Sequence, residues 1–455
     1  MIEAVRGNLQ TSGLNCRPRR LRVAIKNYSE TNHELENRQG QHSLKIEQSI
    51  GQERFDSLPS KFNVLSVCTN FPTRNYPTLG LFVQRRLYAM SKLCNLRVLV
   101  PQPWCPGIRP RNKDETLADS PFPIDIRRMF YIPKLANHWN GMWLNRCVEK
   151  WLSTLPSELV KHSILDAHFG YPEGVGVFRA AIRRKLPFFI TLRGLETDLF
   201  RSKKICGPLI DALNHATGVI SVSESLKSTA IENGINEGKI RVIGNGVDGS
   251  FFSPGNKEQC RYELNFSQSS KLIVSVGSIR RLKGFDLLLE AVKPFRNDPD
   301  FQCVIIGKVM ENDFRNEIVQ RIDQIGMSKS VRLLGTQSPE RVVKWLRAAD
   351  MFVLPTRREG CCNAVLEALS TGVPVITTPA GDNVKFIQEG FNGFIVPHEA
   401  PELISNAIVK ALGTTWEPMS ISKSISSYTW DGASQQLMDY FHEGVSRGFG
   451  FNSMA

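Results

Sequence analysis

Glu359 and Glu367 stand eight positions apart in the run Arg358-Glu359-Gly360-Cys361-Cys362-Asn363-Ala364-Val365-Leu366-Glu367-Ala368. The pattern puts Glu359 at the end of a strand-loop and Glu367 inside the helix that the loop opens. Backbone N–H groups after Gly360 lack intrahelical partners there, and such a helix start attracts an anion. Two flanking carboxylates accept hydrogen bonds from hydroxyl groups, and sugar or ribose hydroxyls are the natural donors. Spacing alone equally fits an acid facing the helix dipole followed by a solvated helix residue. A second segment favours the chemical reading. Val276-Gly277-Ser278-Ile279-Arg280-Arg281-Leu282-Lys283-Gly284-Phe285-Asp286 reads as a strand, a basic loop and the start of a helix. Its glycines permit close backbone approach. Arg280, Arg281 and Lys283 can neutralise a diphosphate leaving group. At the same sheet edge as Glu359 they complete a site for an anion joined to a polyol.

These segments need a scaffold that brings strand ends together. Short apolar runs ending in polar loops occur at Asn63–Cys68, Leu96–Val100, Ser163–His168, Pro187–Leu192 and Gly218–Val222, with helical periods between several of them. That alternation predicts a doubly wound parallel sheet. A second series runs through Leu272–Gly277, Phe301–Gly307, Val331–Gly335, Met351–Pro355, Val373–Thr377 and Gly393–Pro397. Between the two series, Asn245-Gly246-Val247-Asp248 and Ser253-Pro254-Gly255 suit a hinge. The expected fold class is α/β, with two Rossmann-like domains whose parallel sheets face an interdomain cleft. Ligands of such sheets bind outside the carboxyl ends of strands. Residues 1–60 read as a disordered or loosely attached extension, 61–250 as the first domain and 251–429 as the second. A helix near 430–446, apolar at Leu437, Tyr440 and Phe441, is expected to cross back onto the first domain.

Composition narrows the function classes. No run of about 18 apolar residues spans a bilayer, and no apolar leader core appears near residue 1. The expectation is a cytoplasmic protein. The ten cysteines show no C-x-x-C pair and no zinc-ligand spacing with histidine, so reduced thiols and no metal site are expected. Asp298-Pro299-Asp300 has turn-forming composition and is read as a turn, not a metal motif. The net charge of +13 admits nucleic acid, anionic membrane or anionic substrate as partner. Nucleic acid falls out, because no binding motif accompanies the charge. The stretch 179–204 carries eight basic residues interleaved with Phe188, Phe189 and Phe200. It resembles a membrane-facing amphipathic surface and suggests peripheral contact with anionic lipid at the inner membrane face. Trp139 and Trp143 read as core rather than as an apolar lip for a lipid acceptor, the other reading they admit.

The order and spacing of four pieces resemble the retaining family-four, or group 1, glycosyltransferases of GT-B type. They are GSIRRLKGFDLLLEA (277–291), VRLLGTQ (331–337), REGCCNAVLEALSTGVPVITT (358–378) and the approach GVISVSESLKSTAIENG…IRVIGNGVD. The likeness extends over about residues 61–445. It implies a UDP- or GDP-sugar donor, a glycan or lipid-linked acceptor, no cofactor, and transfer of a hexose or N-acetylhexosamine in cell-surface polysaccharide synthesis. Glu359 would then bind donor-sugar hydroxyls and Glu367 the ribose. Lys283 would meet the diphosphate. Gly360, Cys361, Cys362 and Asn363 would contact sugar and phosphate, Leu334 and its neighbours the base, and Gly80 the phosphates from the opposite domain. Asp166–Gly170 with His168, and Thr191–Gly194 with Arg193, look like acceptor-side loops, so Glu359, Arg193 and His168 form the expected catalytic set. Three positions depart from the family pattern. Ser278 follows Gly277 where arginine is usual, leaving Arg280 or Arg281 to substitute; Cys361-Cys362 replaces Phe-Gly; Arg193 stands where many members carry histidine. A phosphorylase or epimerase would need signatures that are absent. A catalytically idle sugar-nucleotide-binding or scaffold protein is the alternative, supported only by Ser278 and Arg193.

Overall fold

The computed structural model describes residues 62–105, 120–132 and 137–447. The extension expected over residues 1–60 lies outside them. Seven parallel strands form the first sheet: β1 (Asn63–Val67), β2 (Asn95–Trp104), β3 (Ile124–Phe130), β4 (Ser163–His168), β5 (Phe188–Leu192), β6 (Gly218–Ser221) and β7 (Ile240–Val242). Their spatial order is β3-β2-β1-β4-β5-β6-β7. The second sheet has six: β8 (Lys271–Val276), β9 (Phe301–Ile306), β10 (Val331–Gly335), β11 (Met351–Leu354), β12 (Val375–Thr377) and β13 (Gly393–Ile395). Its order is β10-β9-β8-β11-β12-β13, again with every pairing parallel. Order reverses between β1 and β4 in one sheet and between β8 and β11 in the other. Crossovers leave a reversal point in opposite directions and open a crevice at the strand ends, which is where such sheets bind ligands.

Sequence explains the central strands. Ser163–His168 is buried at every position, as a strand covered on both faces requires. The structure extends β2 beyond the expected run and adds β3 and β7, which the apolar pattern did not announce. Six helices position the site or close the fold: α1 (Leu81–Met90), α2 (Asn140–Leu152), α3 (Val175–Arg184), α4 (Phe285–Val292), α5 (Asn363–Ser370) and α6 (Trp430–Ser446). α6 lies on the first sheet's side of the molecule. Its Ser434 hydroxyl donates to the Arg86 carbonyl at 3.4 Å, and Phe441 packs 4.4 Å from the Phe189 ring. The two inter-sheet connections run side by side, with the Val247 N–H donating to the Tyr428 carbonyl at 2.8 Å.

One expectation is corrected here. Phe188, Phe189 and Phe200 are not interleaved on a surface with the basic residues; they are 2%, 0% and 7% exposed. Phe188 and Phe189 belong to the interior strand β5, whose alternate faces are covered by core side chains and by α6. Their bulk supports the sheet and offers nothing to a membrane. The tryptophans also divide, Trp143 entering the core while Trp139 stays half exposed. No helix among the described residues is long and apolar enough to cross a membrane.

Candidate active site

Lys283 and Glu359 meet at the β8–β11 reversal point. The loop after β8 turns through Gly284, whose backbone is left-handed at φ 70° and packs so closely on Pro355 that a Cβ would overlap its carbonyl. That packing fixes the basic loop against the end of β11. Lys283 Nζ donates to Glu359 Oε1 at 2.6 Å, with the side chains 12% and 8% exposed. α5 starts four residues after Glu359, and no side chain caps its first turn. Glu367 lies one turn into α5, 16% exposed. Lys283, Glu359, Gly360, Cys362, Asn363 and Glu367 are therefore assembled around one helix start, as their spacing suggests. Burial pushes the Cys361 thiol up to about 12 and the Cys362 thiol well above its usual range, which favours the protonated thiol at both positions.

The two arginines of the same loop behave differently. Arg281 commits its guanidinium to Glu317 and lies 4.9 Å over the Phe314 ring. Its side chain is more than half exposed, and its guanidinium faces Glu317 on the surface. Arg280 precedes it in extended backbone at the same loop. Leu334 sits near the end of β10, its carbonyl accepting from Gln337 Nε2 at 2.9 Å. Asp298 and Asp300 form the expected turn: the Asp300 N–H donates to Asp298 Oδ1, and Lys271 pairs with Asp298.

Across the cleft, the ends of β1, β4 and β5 carry a buried polar network. Arg193 Nη2 donates to His168 Nδ1 at 2.9 Å, and Arg193 Nη1 donates to Asn245 Oδ1 at 3.3 Å. An arginine has no acceptor, so Nδ1 must be bare and the ring proton sits on Nε2, 3.0 Å from Asp166 Oδ2. Ser66 donates to the same oxygen at 2.5 Å. Burial lowers His168 to about 4, against the opposing pull of Asp166, and Arg193 reinforces the neutral form. Arg193 is itself lowered to about 9, first by burial and then by Arg86. His168 is fully enclosed, with both ring nitrogens engaged, and so bears on Arg193 rather than on the open cleft. A testable consequence is that His168 does not titrate between pH 5.5 and 8. Its Cε1–H resonance should stay fixed over that range; a transition near pH 6.5 would contradict the network.

The domains touch at this site. Gly194, left-handed at φ 110°, and Gly360 stack backbone on backbone; a Cβ on Gly194 would stand 3.1 Å from the Gly360 nitrogen. Arg358 forms a bidentate pair with Asp198 at 2.9 and 2.6 Å. Asn245 Nδ2 donates to Asn363 Oδ1 at 2.9 Å. Arg85 Nη1 reaches Glu367 Oε1 at 2.8 Å. Gly80 holds the left-handed turn before α1, φ 69°, pressed against the Asn70 carbonyl. Sequence reasoning missed Arg85, Asn245, Asp198 and Glu196. Glu196 was the most recoverable, because its carboxylate accepts from the N–H groups of Arg193 and Gly194, both 2.9 Å away and within three residues.

Two doubly wound parallel sheets meeting at their strand ends define a protein of the GT-B fold. The chain belongs to the family-four glycosyltransferases. Residues 256–424 match the family described as "Glycosyl transferases group 1", and residues 95–251 match "Glycosyltransferase Family 4". Among curated relatives, a D-inositol 3-phosphate glycosyltransferase of Corynebacterium urealyticum is 27% identical over 53% of this chain and 59% of its own length. The chain thus spans somewhat over half of that relative. A putative teichuronic acid biosynthesis glycosyltransferase of Bacillus subtilis is 25% identical over 70% of this chain and 81% of its own. The crystal structure of Anabaena Alr3699/HepE with UDP and glucose superposes with a TM-score of 0.66 and 17% identity, covering 84% of this chain and all of the other. Sucrose-phosphate synthase from Thermosynechococcus elongatus gives 0.67 and 15%, over 84% and 99%.

Proposed function

We propose that the chain transfers a hexose or N-acetylhexosamine from a UDP- or GDP-sugar to a glycan or lipid-linked acceptor, with retention of configuration, in cell-surface polysaccharide synthesis. The observation that carries this is the Lys283–Glu359 pair beside the uncapped start of α5, with Glu367 further along the same helix. One end of that arrangement suits a sugar, the middle an anion and the far end a ribose. The teichuronic acid relative and the UDP-bound neighbour support the donor and the pathway class. In this reading Glu359 holds donor-sugar hydroxyls, Lys283 and the α5 N–H groups stabilise the departing diphosphate, and the backbone around Leu334 holds the base. Electrostatic stabilisation of a leaving group by fixed donors is a large catalytic term. The acceptor enters on the face the diphosphate leaves, so a phosphate oxygen can take the acceptor's proton and no protein base is needed. His168 then serves by orienting Arg193, whose guanidinium stands beside Asn245 and the start of α5. Incubating the full chain with a panel of nucleotide sugars, and following release of each nucleotide, tests the reading. Turnover of one UDP- or GDP-sugar, with an NMR product of unchanged anomeric configuration, is expected. Inversion overturns the mechanism, and binding without any turnover favours the idle sugar-nucleotide binder.

The same chemistry makes turnover independent of divalent metal. The described residues include no group of three or more His, Cys, Asp or Glu placed to hold an ion, while a lysine and a helix start are available to the phosphates. Rates should be unchanged within about twofold after EDTA treatment. Loss of activity restored by Mn²⁺ would show that the leaving-group chemistry is wrongly assigned.

A further inference from the structure

Glu367 is held from the opposite domain. Its Oε1 accepts from Arg85 Nη1 at 2.8 Å, and the two side chains are 16% and 22% exposed. Arg85 belongs to α1, which follows the Gly80 turn, and its guanidinium lies 5.2 Å over the ring of the buried Phe252. Its neighbour Arg86 is enclosed, 3% exposed, and faces Asp166 electrostatically. Consecutive arginines on one helix are thus divided, one to the core of its own domain and one to the facing domain. The contact of Arg85 is a single bond to one carboxylate oxygen. The hydrogen bond from Arg85 engages Oε1 alone, and the Glu367 side chain keeps 16% exposure.

We infer that Arg85 is a positioning residue for the donor site, holding the Glu367 carboxylate across the cleft in the orientation that receives the ribose hydroxyls of a nucleoside diphosphate. This rests on the proposed ribose role of Glu367. One oxygen is fixed by the guanidinium, which leaves the other to accept from the ribose. The Phe252 ring limits the guanidinium's freedom, as stacked arginines require. Charge supports the geometry. Burial raises the Glu367 carboxyl, and Arg85, reaching it from α1, is the charged group that opposes the rise. Asp248, in the connection between the sheets, feels Arg85 in turn. Without Arg85 the carboxyl keeps its proton to higher pH and accepts hydrogen bonds less well. Nucleotide affinity would then depend on residues of both domains together.

Calorimetry with UDP, GDP and ADP on the full chain tests this, using the parent protein, Arg85→Gln, Arg85→Lys, Glu367→Gln and the Arg85→Gln/Glu367→Gln double variant at pH 6.0 and 7.5. For whichever nucleotide the parent binds, Arg85→Gln should weaken affinity about five- to tenfold, with a larger loss at pH 6.0 than at 7.5. Arg85→Lys should recover part of it. The double variant should bind no worse than Glu367→Gln alone, because Arg85 acts through that carboxylate. Unchanged affinity in Arg85→Gln beside a loss in Glu367→Gln overturns the inference and leaves the ribose role standing. A lower melting temperature with an unshifted pH dependence, or a fully additive double variant, overturns it as well. Unchanged affinity in Glu367→Gln removes the ribose role itself, and a parent that binds none of the three nucleotides removes the donor site.

Discussion

Replacing Lys283 by alanine should weaken binding of UDP or GDP at least tenfold. The ammonium pairs with Glu359, four residues before α5, and the two side chains are only 12% and 8% exposed. A charge-assisted contact of this kind contributes about 1.5–3 kcal/mol, or roughly 10- to 150-fold in affinity. The alanine variant also leaves Glu359 partly buried without its counter-charge, which repels the incoming diphosphate and adds to the loss. Arginine at this position keeps the charge and should recover much of the affinity, although its planar head fits the pocket differently. Melting curves separate a folding defect from a binding defect. A folded Lys283→Ala variant that binds every nucleoside diphosphate as tightly as the parent would remove Lys283 from the donor site.

Glu359→Gln should act on the rate instead. A carboxylate that bonds the transferring sugar gains strength as positive charge develops on that sugar, and an amide does not. The expected outcome is a fall in kcat of about ten- to a hundredfold, with little change in affinity for the bare nucleotide. Glutamine is nearly isosteric and can still accept from Lys283 Nζ, so the loop should keep its shape. Stopped assays with saturating donor give kcat directly. Loss of donor affinity at unchanged kcat would place Glu359 on the nucleotide rather than on the sugar.

Much of the fold was legible because the interior strands are short continuous apolar runs. β4 and β10 occupy the very residues expected, Ser163–His168 and Val331–Gly335. β3 was invisible for a physical reason: Ile124-Asp125-Ile126-Arg127-Arg128-Met129-Phe130 forms an edge strand, partly solvated along most of its length, and needs no apolar run. β7 is three residues long and offers too little pattern. Within the second domain the site was equally legible. Lys283 and Glu359 each follow a strand at the order reversal, so local spacing already placed them near one another. The cross-domain partners were not. Arg85 and Glu367 are 282 residues apart, Arg358 and Asp198 160, and Asn245 and Asn363 118. No periodicity links such positions, and a single arginine on an amphipathic helix looks the same whether it meets water or a carboxylate. The misplaced aromatic surface has the same origin. Charge in a window such as 179–204 averages over a helix, a buried strand and a loop, and only the fold separates them.

The most direct measurement of the donor's orientation compares bare UDP and GDP binding to Glu359→Gln and Glu367→Gln by calorimetry. A nucleoside diphosphate lacks the transferring sugar but carries the ribose, so only the residue at the ribose end should matter. Glu367→Gln is expected to weaken binding several-fold, while Glu359→Gln remains close to the parent. A greater loss in Glu359→Gln would mean that the donor lies the other way along α5.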